Sequence, residues 1–235
     1  MSGVRALLFD VFGTVVDWRS SVIAKGEAVG KRHRVEIPWP EFADAWRREG
    51  YSQAIAQINL GEAPRQDVDV LHRAMLDRLL ARYGLDLPED EVVDLNMVWH
   101  RLWPWPDSPS GLTRLKRRYT ISTLSNGDLH LLTNMAKNGA LPWDCILAAE
   151  LFGAYKPDPR VYDGAARLLR CAPEECMMVA AHEQDLQAAR ARGFHTAFVH
   201  RPREFGPGVV VPRPADGTYD FVVANFTDLA DRLGV

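Results

Sequence analysis

Cysteine is scarce: the 235 residues hold only Cys145, Cys171 and Cys176. The number is odd and no CxxC spacing occurs, so neither a disulfide framework nor a cysteine-built metal site is expected. An excess of positive charge is missing as well. Lys and Arg number 28 against 31 Asp and Glu, a formal net charge of -3. That balance gives no electrostatic case for nucleic acid or an anionic membrane as partner. It leaves room for a local basic pocket that takes a small anion. No apolar run approaches the roughly 18 residues of a membrane span. A basic leader with a cleavage site is also absent. A cytoplasmic protein is expected. There is no internal repeat and no low-complexity tract.

What is present is a chain 47% hydrophobic and 25% charged, enough for one folded domain or one domain with a sizeable insertion. Short apolar runs end abruptly in polar or glycine-containing loops. They are "VRALLFD" at the start, "YTISTLSNGD" (119–128), "CILAAE" (145–150), "CMMVAAHEQD" (176–185), "HTAFVHRP" (195–202) and "YDFVVANF" (219–226). Short β-branched runs of this kind suit strands buried on both faces. Helical patterns lie between them. "DPRVYDGAARLLR" places Asp158 at an N-cap and Pro159 at the first helical position. "DLQAARARG" closes on Gly193, a residue that favours the position just past a helix end. Strands alternating with helices predict an α/β, Rossmann-like core with a mainly parallel sheet.

Residues 16–103 break that alternation. Segments 21–33, 40–58, 67–84 and 88–102 all read as helices, punctuated by Pro38, Pro40, Gly61, Pro64, Gly84 and Pro88. An all-helical cap, inserted after a first core segment of residues 1–15 and followed by core residues 104–235, is the expected arrangement. "WPWPD" (103–107) reads as the return hinge, its tryptophans as packing residues. "RPREFGPG" (201–208) reads as an ordered surface loop whose arginines could edge a cleft.

The strand ends carry the chemistry. The first strand delivers Asp10, the next core strand Ser125 and Asn126. Lys156 precedes a helix, and the "AAHEQD" loop carries His182, Glu183 and Asp185. Ligands of open α/β sheets sit at such carboxyl ends. Carboxylates, a hydroxyl and a lysine gathered there make a candidate active site. Asp10 before a glycine-containing turn is a candidate carboxylate nucleophile, with backbone N–H groups available beside it. Capping by Ser125 and Asn126, and an N-cap role for Asp185, are the plainer readings of those residues.

"FDVFGT", "LSNG", "YKPDPRVY" and "VAAHEQDL", in that order and spacing, resemble the haloacid dehalogenase superfamily. "DVFGTVVDWR" and "RLWPWPD" resemble segments of its type II 2-haloacid dehalogenases. The resemblance implies that Asp10 attacks the halogen-bearing carbon of a short 2-haloacid, forming an ester that water hydrolyses. It implies that Lys156 keeps Asp10 ionised and that Asp185 orients Lys156. Thr14, Ser125 and Asn126 would bind the substrate carboxylate or align Asp10, and Tyr162 would support the site by hydrogen bonding. Arg47 falls where the family places its halide-contacting arginine, with Arg48 adjacent. A small anionic substrate, no metal and no other cofactor follow from the same likeness. Helical caps of this family often support dimers, and a homodimer is left open.

The superfamily's phosphatases carry a second Asp two places after the nucleophile, which protonates the leaving alcohol. Here Phe12 stands there. Its Mg²⁺-dependent members carry a metal-holding acid four places before the last motif's Asp, and here that is Ala181. The resemblance thus favours metal-free displacement at carbon. A Mg²⁺-dependent phosphatase and a non-catalytic binding protein are the alternatives. The chain also departs from well-known type II members, with Ala180, Ala181 and His182 where they carry Ser-Ser-Asn. His182 is the candidate to take over water positioning or to accept a proton during ester hydrolysis.

Overall fold

The structure, a computed structural model, describes residues 3–235. It divides into two compact units. One runs to Asp17 and resumes at Trp103, and the other is Trp18–Leu102.

The first unit is a parallel sheet between helices. Its strands are β1 (Ala6–Phe9), β4 (Thr120–Ser125), β5 (Cys145–Ala148), β6 (Cys176–Ala180), β7 (His195–Val199) and β8 (Phe221–Val223), in the spatial order β5-β4-β1-β6-β7-β8. All five pairings are parallel. The chain fills one half of the sheet outward from β1, then crosses back and fills the other. That is the Rossmann strand order, and its reversal point lies beside β1, where such sheets bind ligands. Every residue of β1, β6 and the last five of β4 is buried, as strands covered on both faces must be. Ala6, Leu8, Leu124, Val161, Tyr162, Met178 and Phe198 share one core cluster. The helices are α6 (Ser108–Leu115), α7 (Leu129–Asn138), α8 (Pro159–Leu169), α9 (Glu183–Ala191) and α10 (Phe226–Leu233). Asp158 caps α8 as its sequence suggests, its side chain accepting from the Arg160 N–H at 2.8 Å. Gly193 follows α9 with φ +87°, the left-handed turn-off that glycine adopts freely.

A two-residue antiparallel ribbon closes this unit, β2 (Val16–Asp17) against β3 (Trp103–Pro104). The expected limits of the insert, 16 and 103, fall on this ribbon. "WPWPD" is therefore partly strand, with Trp103 half exposed and the Trp105 indole N–H donating to the Gly13 carbonyl at 2.8 Å.

The second unit is all helical: α1 (Trp18–His33), α2 (Trp39–Ala45), α3 (Gln53–Asn59), α4 (Val68–Arg82) and α5 (Glu89–Asn96). The helix read over 40–58 is interrupted. Trp46–Ser52 forms a wide π turn between α2 and α3. Gly50 on that turn lies so close to α4 that a Cβ there would stand 2.4 Å from Met75 Cβ. Trp18, Phe42, Trp46, Trp99 and Met75 are fully buried in this unit. No described helix is long and apolar enough to cross a membrane.

Candidate active site

Asp10 follows directly on β1, and its N–H donates to the Val179 carbonyl of β6 at 3.0 Å. The backbone then turns at Gly13, φ +83°, a conformation side chains rarely adopt. This brings Thr14 back over the carboxylate. The Thr14 hydroxyl donates to Asp10 Oδ2 at 2.7 Å and accepts from the Ala181 N–H at 2.9 Å. Lys156 Nζ lies 3.0 Å from Asp10 Oδ1, and His182 Nδ1 lies 2.9 Å from Oδ2. Both carboxylate oxygens are thus engaged by cationic or hydroxyl donors.

Lys156 also bonds Asp185 in a short contact, and the Tyr162 hydroxyl donates to the other Asp185 oxygen at 2.6 Å. Asn126 fixes the lysine's backbone from both sides. It accepts from the Lys156 N–H at 2.6 Å and donates to the Lys156 carbonyl at 3.2 Å. Ser125 is buried, and its hydroxyl accepts from the Gly127 N–H at 3.2 Å, closing the turn after β4. Asp128, not Ser125 or Asn126, occupies the N-cap of α7, and His182 occupies that of α9. Asp185 therefore lies in the first turn of α9 and spends its oxygens on Lys156 and Tyr162.

The charges of this group oppose burial. Burial alone pushes the Asp10 carboxyl up, but Lys156, His182 and Thr14 outweigh it and hold it well below the usual carboxylate range. Asp185 is displaced upward, first by burial and also by the Asp10 charge, with Lys156 pulling against them. The two carboxylates that share one lysine are thus displaced in opposite directions, Asp10 down and Asp185 up. Burial pushes the Lys156 ammonium down, and the two carboxylates more than restore it. Burial and Asp185 raise the Tyr162 phenol, which stays a neutral donor.

His182 has a second anion behind it. Its Nε2 lies 3.0 and 3.1 Å from the two Glu204 oxygens. Burial works against charge on the ring, yet Glu204 and Asp10 together push its pKa up to about 10. Glu204 was not legible as a site residue. The 201–208 segment read as a surface loop because it is rich in charge, Pro and Gly. Arg201 and Glu204 are in fact 5% and 2% exposed. Their charges are met inside, Glu204 by His182 and Arg201 by Asp107. The signal that could have found them is position: the loop leaves the carboxyl end of β7, next to β6 in the sheet.

In the helical unit, Arg47 lies on the π turn with its guanidinium 4.4 Å from the Tyr51 ring centre and 5.7 Å from that of Trp18. His72, fully buried, stacks on Trp99 at 4.3 Å. Burial, reinforced by Arg47, holds its imidazole well below the ordinary value, so it stands neutral beside the arginine. Arg48 is paired with Glu49 at 3.4 Å, its side chain 69% exposed, which leaves Arg47 as the member of the pair held in an aromatic cradle.

These donors do not suit Mg²⁺. A hard cation needs free oxygen ligands. Asp10 already serves Lys156, Thr14 and His182, residue 181 is alanine, and Phe12 is buried. Among the described residues no three His, Cys, Asp or Glu side chains form a metal-holding group. The arrangement can supply a shielded anionic nucleophile, a cation beside it, and an imidazole backed by a carboxylate.

The haloacid dehalogenase-like hydrolase family model matches residues 4–193. A solved L-2-haloacid dehalogenase superimposes with a TM-score of 0.94 at 45% identity, covering 99% of both chains. A solved defluorinating L-2-haloacid dehalogenase gives 0.93 at 42% identity, over 99% of this chain and 96% of the other. (S)-2-haloacid dehalogenase 1 of Pseudomonas sp. (strain CBS-3) is 29% identical over 211 residues, 87% of this chain and 89% of the relative.

Proposed function

The chain belongs to the haloacid dehalogenase-like hydrolases, and from that premise we propose that it is an L-2-haloacid dehalogenase, a hydrolase acting on carbon–halide bonds through an ester on Asp10. The observation that carries this is the Asp10 carboxylate itself, held ionised by Lys156 at 3.0 Å and without an acid at position 12. A leaving alcohol needs a proton, whereas a halide departs as a stable anion. Phe12 costs the second reaction nothing. Relatives named for (S)- and L-2-haloacids at 29 and 45% identity support the same substrate class.

In the first step Asp10 displaces halide from C2 of the haloacid, and the carbon–halogen electron pair leaves with the halide. Lys156 stabilises the carboxylate until it attacks, and Asp185 and Tyr162 hold the lysine in place. Thr14 fixes the carboxylate's rotation. Arg47 is proposed to meet the halide, since a weakly hydrated guanidinium takes an anion readily. Ser125 and Asn126 keep the β4 loop and the Lys156 backbone in register.

Ester formation removes one of the two negative charges that hold the proton on His182. Loss of that proton from Nδ1 leaves a neutral ring whose Nε2–H points at Glu204, the form in which Nδ1 accepts a proton from water. Water then attacks the ester carbonyl. One of its protons passes to His182 and on to the departing alkoxide. The other leaves the regenerated Asp10 carboxyl for His182 Nδ1, so Asp10 returns as a carboxylate carrying one water oxygen and the ring regains the proton it lost after the first step. The sum is a 2-hydroxy acid, halide and one proton.

Halide release from both enantiomers of 2-chloropropionate, from chloro-, bromo- and fluoroacetate, and phosphate release from p-nitrophenyl phosphate with Mg²⁺ test this directly. The expected result is halide from the (S)-enantiomer and background phosphate. Mg²⁺-dependent phosphate release without dehalogenation, lost in Asp10→Asn, would establish the phosphatase instead.

A further inference from the structure

We propose that Arg201, locked by Asp107, is a positioning residue that fixes the nucleophile loop through the Thr14 carbonyl. The inference rests on Asp10 being the nucleophile and goes beyond it, since neither Arg201 nor Asp107 touches the reacting atoms.

The loop after Asp10 presents the three consecutive carbonyls of Gly13, Thr14 and Val15 to the rest of the sheet unit. Each takes a donor from elsewhere in the sheet unit. Gly13 O accepts from the Trp105 indole at 2.8 Å, and Thr14 O from Arg201 Nε at 2.8 Å. Val15 O accepts from the Ser108 hydroxyl at 2.7 Å and the Trp105 N–H at 3.0 Å. The middle one belongs to the residue whose hydroxyl aims Asp10. A shift of that backbone moves a 2.7 Å contact to the nucleophile.

Arg201 is itself held on every side. Its Nη1 and Nη2 bind the two Asp107 oxygens at 2.6 and 3.0 Å, and Asp107 also accepts from the Phe226 N–H at 2.9 Å. The Phe226 and Trp105 ring centres lie 4.8 and 5.5 Å from the guanidinium carbon. Burial pushes the Asp107 carboxyl up, but the bonds from Arg201 and Phe226 outweigh it and its net displacement is down, so the pair is charged throughout the working range.

The same residue reaches the other half of the site. The Arg201 carbonyl accepts from the Glu204 N–H at 3.2 Å, beginning the turn that carries Glu204 to His182. That carboxylate lies over Gly13 so closely that a Cβ there would stand 2.0 Å from Glu204 Oε1. One guanidinium thus ties the segment bearing Thr14 to the segment bearing Glu204. A buried ion pair contributes little net stability against apolar residues of similar volume, whereas a planar fork bonding in three directions sets geometry. Lysine can keep the charge opposite Asp107, but it lacks the fork that serves two carboxylate oxygens and the Thr14 carbonyl together.

The experiment compares wild type, Arg201→Lys, Asp107→Asn, the double variant Arg201→Lys with Asp107→Asn and, as an exposed control, Arg203→Lys. Far-ultraviolet circular dichroism and Tm are measured first. Then kcat, KM and the fraction of Asp10 alkylated are measured with (S)-2-chloropropionate well below the lowest Tm. Arg201→Lys is expected to stay folded and to lose kcat on the order of 10-fold or more, as small misplacements of reacting groups do, with KM within about two-fold of wild type. Asp107→Asn should lose kcat similarly, and the double variant no further, because the pair acts as a unit. Arg203→Lys should match wild type. Folded Arg201→Lys and Asp107→Asn with wild-type kcat and only a lowered Tm would overturn the inference and leave the dehalogenase reading standing. Should Arg201→Lys not fold, Asp107→Asn decides by the same criteria. A wild type that releases no halide would overturn that reading, and the inference with it.

Discussion

Lys156 stands between two carboxylates, and the balance there sets what each residue of the site can do. Asp10 stays an anion because Lys156, His182 and Thr14 together outweigh its burial. His182 carries a proton in the resting site because Glu204 and Asp10 face its two nitrogens. Two predictions belong at this scale. His182→Ala should still release one equivalent of halide in a burst and then accumulate the Asp10 ester, with steady-state turnover down by the roughly 10²-fold or more typical of a lost general base. Mass spectrometry of quenched enzyme reads the ester, and an unchanged steady-state rate would return His182 to a structural role. The second is a stability profile. The folded pKa of about 10 lies above the reference 6.5. The stabilisation is therefore complete below about pH 6.5 and disappears as pH rises through about 10. The Tm gap between wild type and His182→Gln should shrink over that window, and a gap independent of pH would contradict the assignment. At this scale the grouping of Asp10, Thr14, Lys156, Tyr162, His182 and Asp185 was legible because each stands in one of the segments "FDVFGT", "YKPDPRVY" and "VAAHEQDL". Glu204 was not, because an acid in a Pro- and Gly-rich charged loop looks the same in sequence whether water or a buried imidazole satisfies it.

The elements follow from similarly local rules, with one instructive failure. Strands buried on both faces announce themselves as short apolar runs, and α8 announces its start through Asp158 and Pro159. The 40–58 segment reads as one regular helix because periodicity is blind to a single widened turn. What opens that turn is tertiary: Gly50 must pass Met75 of α4 with no room for a Cβ, and π turns of this kind recur at functional positions. Here the turn carries Arg47, stacked on Tyr51 at 4.4 Å. Gly50→Ala should therefore destabilise the protein by about 1–3 kcal/mol, the usual cost of overpacking, measured by urea denaturation. A neutral effect would mean that α4 yields freely and that the turn has another cause. Arg47→Lys should lower kcat on the order of 10²-fold, as loss of a preorganised donor to developing charge does. Near-wild-type halide release by Arg47→Ala would move that role to another cation.

For the whole molecule, the sheet order is the organising fact. β1 is central, and the chain turns outward on both sides of it, so loops distant in sequence converge on Asp10. The alternation of strands and helices made the α/β core legible. The long apolar-periodic stretch made the helical insert legible. The second sheet-unit network, Arg201 with Asp107, was not: the two residues are 94 positions apart, and "RLWPWPD", which ends on Asp107, gives no sign of a partner in the loop after β7. Because the site's donors are spent on one another rather than left for a cation, halide release should be unchanged by EDTA and unaided by Mg²⁺. Marked loss on chelation, restored by a divalent ion, would contradict that. Ester formation on Asp10 is the step on which every other role in the site depends. It is tested most directly by repeated turnover of (S)-2-chloropropionate in H₂¹⁸O, followed by fragment sequencing of the tryptic peptide from Ala6 to Arg19. That peptide contains both Asp10 and Asp17, so its own sequence provides the internal control. ¹⁸O is expected in the Asp10 side chain and none at Asp17. Label found in the hydroxy acid from the first turnover onward, with Asp10 unlabelled, would mean that water attacks the substrate directly, and would contradict ester formation on Asp10.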